Sequence, residues 1–295
     1  MFRSWKVGSV AGIGIFVHWT FWLLPIWVGY EALPQGRAEA VMAVALVLTL
    51  FACVLLHELG HAFMARVFGI DTRDITLYPI GGAARLERMS ERPSEELLIA
   101  LAGPAVNVAI AVALGLIAAV GRVPVWPSFI GHGPWLEVFL IRLLVMNIFL
   151  VIFNLLPVFP MDGGRVFRAF LSMFLDRLWA TRVAVGVTLP MAALFVIGAY
   201  LERTPLLAVI AVLVVLMGQA ELAVVRYQEA KRRAEADAAY DEGPPEVYPA
   251  ETVVHPSAIP AEPGFSGFTW DREAGLWIEW RAGRPVCAVP AGPRG

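Results

Sequence analysis

The chain reads as an all-α polytopic membrane protein with six transmembrane helices, a short membrane-edge β-hairpin or re-entrant loop, and a small cytoplasmic tail. Three observations predict this class. Of 295 residues, 58% are hydrophobic and 16% charged, with a mean hydropathy of +0.68, a balance foreign to soluble domains. Apolar stretches of bilayer-crossing length recur near Gly14–Tyr30, Ala40–Phe63, Leu97–Val120, Leu136–Val158, Val183–Leu201 and Pro205–Val225. Finally, Lys and Arg crowd alternate connections, the pattern that orients spans in a bilayer.

The elements follow in chain order. Arg3 and Lys6 precede the first span, which lacks a small-residue cleavage site and is followed by further spans, so it is not expected to be a cleaved signal. The second span runs inward to Arg66, Arg73, Arg85, Arg88 and Arg92. Thr76–Leu86 is too short and too glycine-rich to cross, yet nearly uncharged, and reads as the membrane-edge hairpin. Arg165, Arg168, Arg177 and Arg182 follow the fourth span and fit the positive-inside bias, whereas only Arg37, Arg122 and Arg203 mark the opposite connections. Both termini are therefore expected on the cytoplasmic side of the cell membrane. Beyond the membrane domain, residues 1–225, a charged helix over Arg226–Glu242 and a proline-rich linker over Gly243–Pro263 lead to a small β-meander within residues 264–295. Two cysteines, Cys53 in a span and Cys287 in the tail, are expected to stay reduced. A net charge of −2 gives no basis for a nucleic-acid partner.

Chemistry enters the second span as His57-Glu58-Leu59-Gly60-His61. An ionisable residue at the centre of a span costs about 2.5–3.5 kcal/mol even on the lenient insertion scale, so this cluster needs a reason. Residues i and i+4 share a helix face, so His57 and His61 can offer ring nitrogens to one metal ion. Glu58 points to the side, placed to take a proton from water activated by that metal. His57 lies nine residues before Arg66, about 13 Å inside that helix end. A catalytic zinc wants a third protein ligand, and His18, His132, Asp71, Asp74, Glu87, Glu137 and Asp162 are the candidates. Asp162 is favoured because it stands at the same depth in Asn154-Leu155-Leu156-Pro157-Val158-Phe159-Pro160-Met161-Asp162-Gly163-Gly164. There prolines and glycines break the helix, although Asp162 can equally cap the helix that follows. His18 beside Trp19 reads as an interfacial anchor. Asn107 and Asn154, amides in apolar surroundings, serve either helix-to-helix hydrogen bonding or binding of a substrate backbone. The hairpin edge around Gly81 and Gly82 can hold a substrate extended by strand addition, or simply lie on the bilayer surface.

These motifs resemble the site-2 proteases, zinc intramembrane metalloproteases, over about residues 10–225. The resemblance rests on His57-Glu58-Leu59-Gly60-His61 and on Asn154-x-x-Pro157 followed by Asp162-Gly163. Phe16-Val17-His18-Trp19-Thr20, Tyr78-Pro79-Ile80-Gly81-Gly82-Ala83 and Ala102-Gly103-Pro104-Ala105-Val106-Asn107 resemble the branch that usually carries CBS domains, which are not read here. It implies one Zn2+ per chain held by His57, His61 and Asp162, Glu58 as base, and substrate contact by Asn154. The expected activity is cleavage of a membrane-anchored protein within or near its transmembrane segment, with a second copy of the chain as a further partner. Two rival classes make different predictions. A zinc or ion transporter would string polar residues along several spans, whereas here they cluster at one depth. A non-catalytic protein binding a transmembrane partner would be free to lose Glu58 or a ligand, and none is replaced.

Overall fold

The computed structural model describes residues 4–79, 81–87, 90, 92–241, 248–249, 258, 260 and 262–290, in two compact units, Met1–Val225 and Arg226–Gly295. The first unit opens with strands rather than a span. β1 (Ser4–Val10) and β2 (Ile13–His18) form an antiparallel hairpin whose turn residues Ala11 and Gly12 both have positive φ, 50° and 87°. A short helical segment follows, built of one 3₁₀ turn (Trp19–Trp22), α1 (Leu23–Ala32) and a second 3₁₀ turn (Leu33–Gln35). Then come α2 (Arg37–Val67), β3 (Thr72–Tyr78), β4 (Gly81–Leu86), α3 (Pro93–Val120), α4 (Val125–Phe129), α5 (Trp135–Asn154), α6 (Asp162–Leu171), α7 (Arg177–Leu201) and α8 (Pro205–Asp241).

Five helices are long and apolar enough to cross a membrane: α2, α3, α5, α7 and residues Leu207–Ala234 of α8. Only 22–33% of each most apolar window is buried, so their outer faces present apolar side chains to the surroundings. The first unit is mostly helical, with a four-stranded sheet where one short hairpin was expected. Gly14–His18, read as the start of a first span, is strand β2. Ile13, Ile15 and Val17 alternate along it, and a run this short with β-branched residues and flanking glycines is a strand when a sheet partner exists. The partner is distant in sequence: β2 pairs in parallel with β3, Gly14 opposite Asp74 through Val17 opposite Leu77. β4 completes the sheet in the order β1-β2-β3-β4 and stands at its edge.

One sheet face covers α2. Ile13 and Ile75 pack with Leu59 and Ala62, while Val17 and Leu77 pack with Phe21 and Phe51. On the other side of the site the chain breaks after Asn154, as its prolines demand. Val158, Phe159 and Met161 are buried against α7 and α8, through Ala184, Val185, Val214 and Leu222. α6 therefore starts at a fixed place.

Arg168, expected only to satisfy the positive-inside bias, is 1% exposed. Its guanidinium bonds Glu96 of α3 and Glu221 of α8, and lies 5.2 Å from the Phe159 ring centroid. Hydropathy reads charge but not pairing, so the burial of this arginine between two carboxylates was not legible in its sequence. Removing it would leave the largely buried Glu221 without this cation and Glu96 with only a 4.0 Å approach of Arg177. Arg168→Ala is expected to destabilise the fold by about 3–5 kcal/mol, read as a lowered thermal midpoint in detergent.

The second unit is described by itself. β6 (Gly267–Asp271), β7 (Leu276–Arg281) and β8 (Arg284–Pro290) form an antiparallel meander, and β5 (Tyr248–Pro249) adds to β8. Leu276, Ile278, Trp280 and Ala288 form its core with Ala258, and the Trp280 ring nitrogen donates to Thr269 Oγ1 at 2.7 Å. The linker expected over Gly243–Pro263 falls largely outside the described residues.

Candidate metal centre

α2 presents His57 and His61 on one face, and α6 presents Asp162 from its first turn. The structure brings all three together. His57 Nε2 lies 3.0 Å and His61 Nε2 3.2 Å from Asp162 Oδ2, and the two ring nitrogens are 3.1 Å apart. They form the metal-capable group of this kind found among the described residues. Met161, not Asp162, occupies the helix N-cap position, and no side chain caps α6. The Asp162 carboxylate is thus turned to the histidines rather than spent on capping.

The outer ring nitrogens fix the inner ones. His61 Nδ1 lies 2.7 Å from the Ile99 carbonyl oxygen, which can only accept, so this nitrogen carries the proton. His57 Nδ1 lies 2.9 Å from Asn107 Oδ1. Each neutral imidazole therefore directs a bare Nε2 lone pair inward, as in metal-ligating histidines whose second nitrogen is held by an outer partner. Two lone pairs and a carboxylate oxygen at such distances repel one another unless a cation sits among them. Ligands 2.0–2.2 Å from a tetrahedral zinc stand about 3.3–3.6 Å from each other, so the trio needs to open by only a few tenths of an ångström. The donor set of two imidazoles and one carboxylate also suits zinc and leaves a fourth position.

Glu58 lies outside this trio, against strand β4. A Cβ built at Gly82 would stand 2.6 Å from Glu58 Cγ and 3.2 Å from its Oε1, so only glycine lets the strand backbone approach the carboxyl this closely. Gly81, the first residue of β4, has φ 141°. Asn107 is fully buried and its amide is engaged by Oδ1 with His57 and by Nδ2 with Asn147 Oδ1 at 3.2 Å, the hydrogen bonding that was one of the two uses expected for it. Asn154 closes α5 half-buried, with no side-chain hydrogen bond to a described residue.

The other third-ligand candidates stand elsewhere. Asp71 pairs with Arg66, Asp74 with Arg85 and Glu87 with Arg73. His18 is buried, with Nδ1 2.6 Å from Thr20 Oγ1 and its ring beside Tyr78. Asn147 escaped the sequence reading, although the signal was present: an amide in an apolar span, of the same kind that singled out Asn107.

Comparison with known proteins agrees with this geometry. Residues 45–132 and 130–198 match peptidase family M50. A zinc metalloprotease of Methanocaldococcus jannaschii is 32% identical over 227 residues, 76% of this chain and 62% of that protein. Stage IV sporulation protein FB of Bacillus subtilis is 29% identical over 153 residues, 52% of this chain and 46% of that protein. The chain thus spans between 46% and 62% of the length of these two curated relatives. Among solved structures, the site-2 protease from Methanocaldococcus jannaschii superposes with a TM-score of 0.54 at 31% identity, covering 75% of this chain and 95% of that one. On the family match, the identity and the shared fold together, the chain belongs to peptidase family M50, the site-2 protease family.

Proposed function

We propose that this chain is a zinc-dependent intramembrane endopeptidase that cleaves a membrane-anchored protein within or near its transmembrane segment. The observation that carries the reading is the convergence of His57, His61 and Asp162 within 3.2 Å beside Glu58. Zinc held by those three residues would supply a Lewis acid that activates water and polarises the scissile carbonyl. Glu58 accepts the proton of the attacking water and returns it to the leaving amine. The edge of β4 takes an extended peptide by strand addition, with Gly81 and Gly82 as its contact positions and Glu58 alongside. Asn154 offers its uncommitted amide to the substrate backbone, and Asn107 holds His57.

The topology proposed with it has six crossings and both termini in the cytoplasm. Residues 19–35 are helical throughout, and seven 3₁₀ plus ten α residues rise about 29 Å, which matches a hydrocarbon core of about 30 Å. The arginine-rich stretches after α2 and α5 then face the cytoplasm at the cell membrane, as does the 226–295 unit, to which a second copy of the chain would bind.

The test needs no known substrate. Purified detergent-solubilised protein is expected to hold about one zinc per chain, and Asp162→Asn and His57→Ala, at unchanged helical content, to hold much less. A well-folded wild type that takes up no zinc on resupply would remove the protease reading.

A further inference from the structure

Behind His57 runs a chain of hydrogen bonds whose direction is set at its far end. Asn147 on α5 and Asn107 on α3 are both 0% exposed. Asn147 Nδ2 lies 2.9 Å from the Leu143 carbonyl oxygen, one helical turn back. A carbonyl can only accept, so that side of the Asn147 amide must be its NH2 and the other side its oxygen. The oxygen in turn faces Asn107 at 3.2 Å, which forces the Asn107 NH2 toward it and the Asn107 oxygen toward His57 Nδ1 at 2.9 Å. The proton of a neutral His57 is thereby placed on Nδ1, and Nε2 faces His61 and Asp162 as a bare lone pair. Without Asn147, the Asn107 amide could turn over, donate to Nδ1, and shift the imidazole proton to Nε2, into the cradle.

We infer that Asn147 is a positioning residue of the metal centre: acting through Asn107, it dictates which nitrogen of His57 is free to bind the metal. The inference rests on the metal-site reading above and extends it to a residue with no contact to the three donors. Around it stand the buried Cys53, whose Sγ is 3.6 Å from Asn147 Nδ2, and the buried Leu143.

The experiment is zinc affinity of the full chain in detergent, measured by competition with a chromophoric chelator, alongside the thermal midpoint of the metal-free protein. Asn147→Ala is expected to bind zinc about tenfold more weakly, the low end for loss of an outer-shell partner. Asn147→Ser serves if the alanine variant folds poorly, since a serine hydroxyl can keep the bond to the carbonyl one turn back while falling short of Asn107. The decisive arm is the same substitution in an Asn107→Asp background. A carboxylate only accepts, so it holds the proton on His57 Nδ1 without instruction, and because its other oxygen would face the Asn147 oxygen, removing Asn147 should cost no affinity in that background. Wild-type affinity in both Asn147 variants, or a loss that persists undiminished with Asp at 107, would overturn the inference. An absence of zinc binding by the wild type itself would instead bring down the metal reading beneath it.

Discussion

Glu58→Gln is expected to slow peptide-bond cleavage by about 10²- to 10⁴-fold, the range for a lost general base, while zinc content stays at the wild-type level. The separation of the two readouts follows from where the residue stands. Glu58 is one residue past His57 on α2, so its side chain leaves the helix at a different angle from the two histidines. It lies against the backbone of Gly82 rather than among the three converging donors. Glutamine keeps the length and the contact with the strand but cannot accept a proton from water. A panel of single-span membrane peptides carrying a cleavage reporter, reconstituted with the protein in vesicles, gives the rate; metal analysis of the same preparation gives the occupancy. Wild-type turnover by the glutamine variant would sink the assignment of Glu58 as base. Lost zinc would make it a ligand instead.

The parts of this architecture that are legible in sequence are those governed by local periodicity. α2, α3, α5, α7 and α8 announce themselves by unbroken hydropathy, and His57 and His61 by a four-residue spacing that any helix converts into one face. The hairpin over β3 and β4 was legible from its glycines and its shortness. What local pattern could not reveal is pairing across long separations. Strand β2 joins β3 some sixty residues later, past all of α2, and nothing in Ile13–His18 distinguishes it from the start of an apolar helix except the alternation of three β-branched residues. The pairing of Arg168 escaped for the same reason, because its partners Glu96 and Glu221 belong to α3 and α8. Asp162, 105 residues from His57, was legible only through the prolines that break the helix before it. That break frees the first turn of α6 to face α2, and burial of Val158 and Phe159 holds it there.

Gly103→Ala, the addition of one methyl group, is expected to abolish zinc binding. Gly103 sits in α3 immediately before Pro104, on the face turned to α2. A Cβ there would fall 2.2 Å from His61 Nε2, 2.5 Å from His61 Cε1 and 2.7 Å from His57 Nε2, all closer than non-bonded atoms tolerate. The methyl would press on both nitrogens that must face the ion. The rings cannot simply retreat, because His57 is tied behind to Asn107 and His61 to the Ile99 carbonyl, at 2.9 and 2.7 Å. Overpacking of this kind costs about 1–3 kcal/mol in a well-packed core, and here relief by swinging a ring forfeits the metal geometry. Gly115 supplies the control within the same helix. Its Cβ would meet nothing within 4 Å, so Gly115→Ala is expected to keep full zinc occupancy and to gain up to about 1 kcal/mol of stability from better helix propensity. Equal zinc content in the two variants would mean that α3 does not press on the histidines as closely as the structure has it. Loss confined to Gly103→Ala would show that the metal centre is closed on one side by the absence of a side chain.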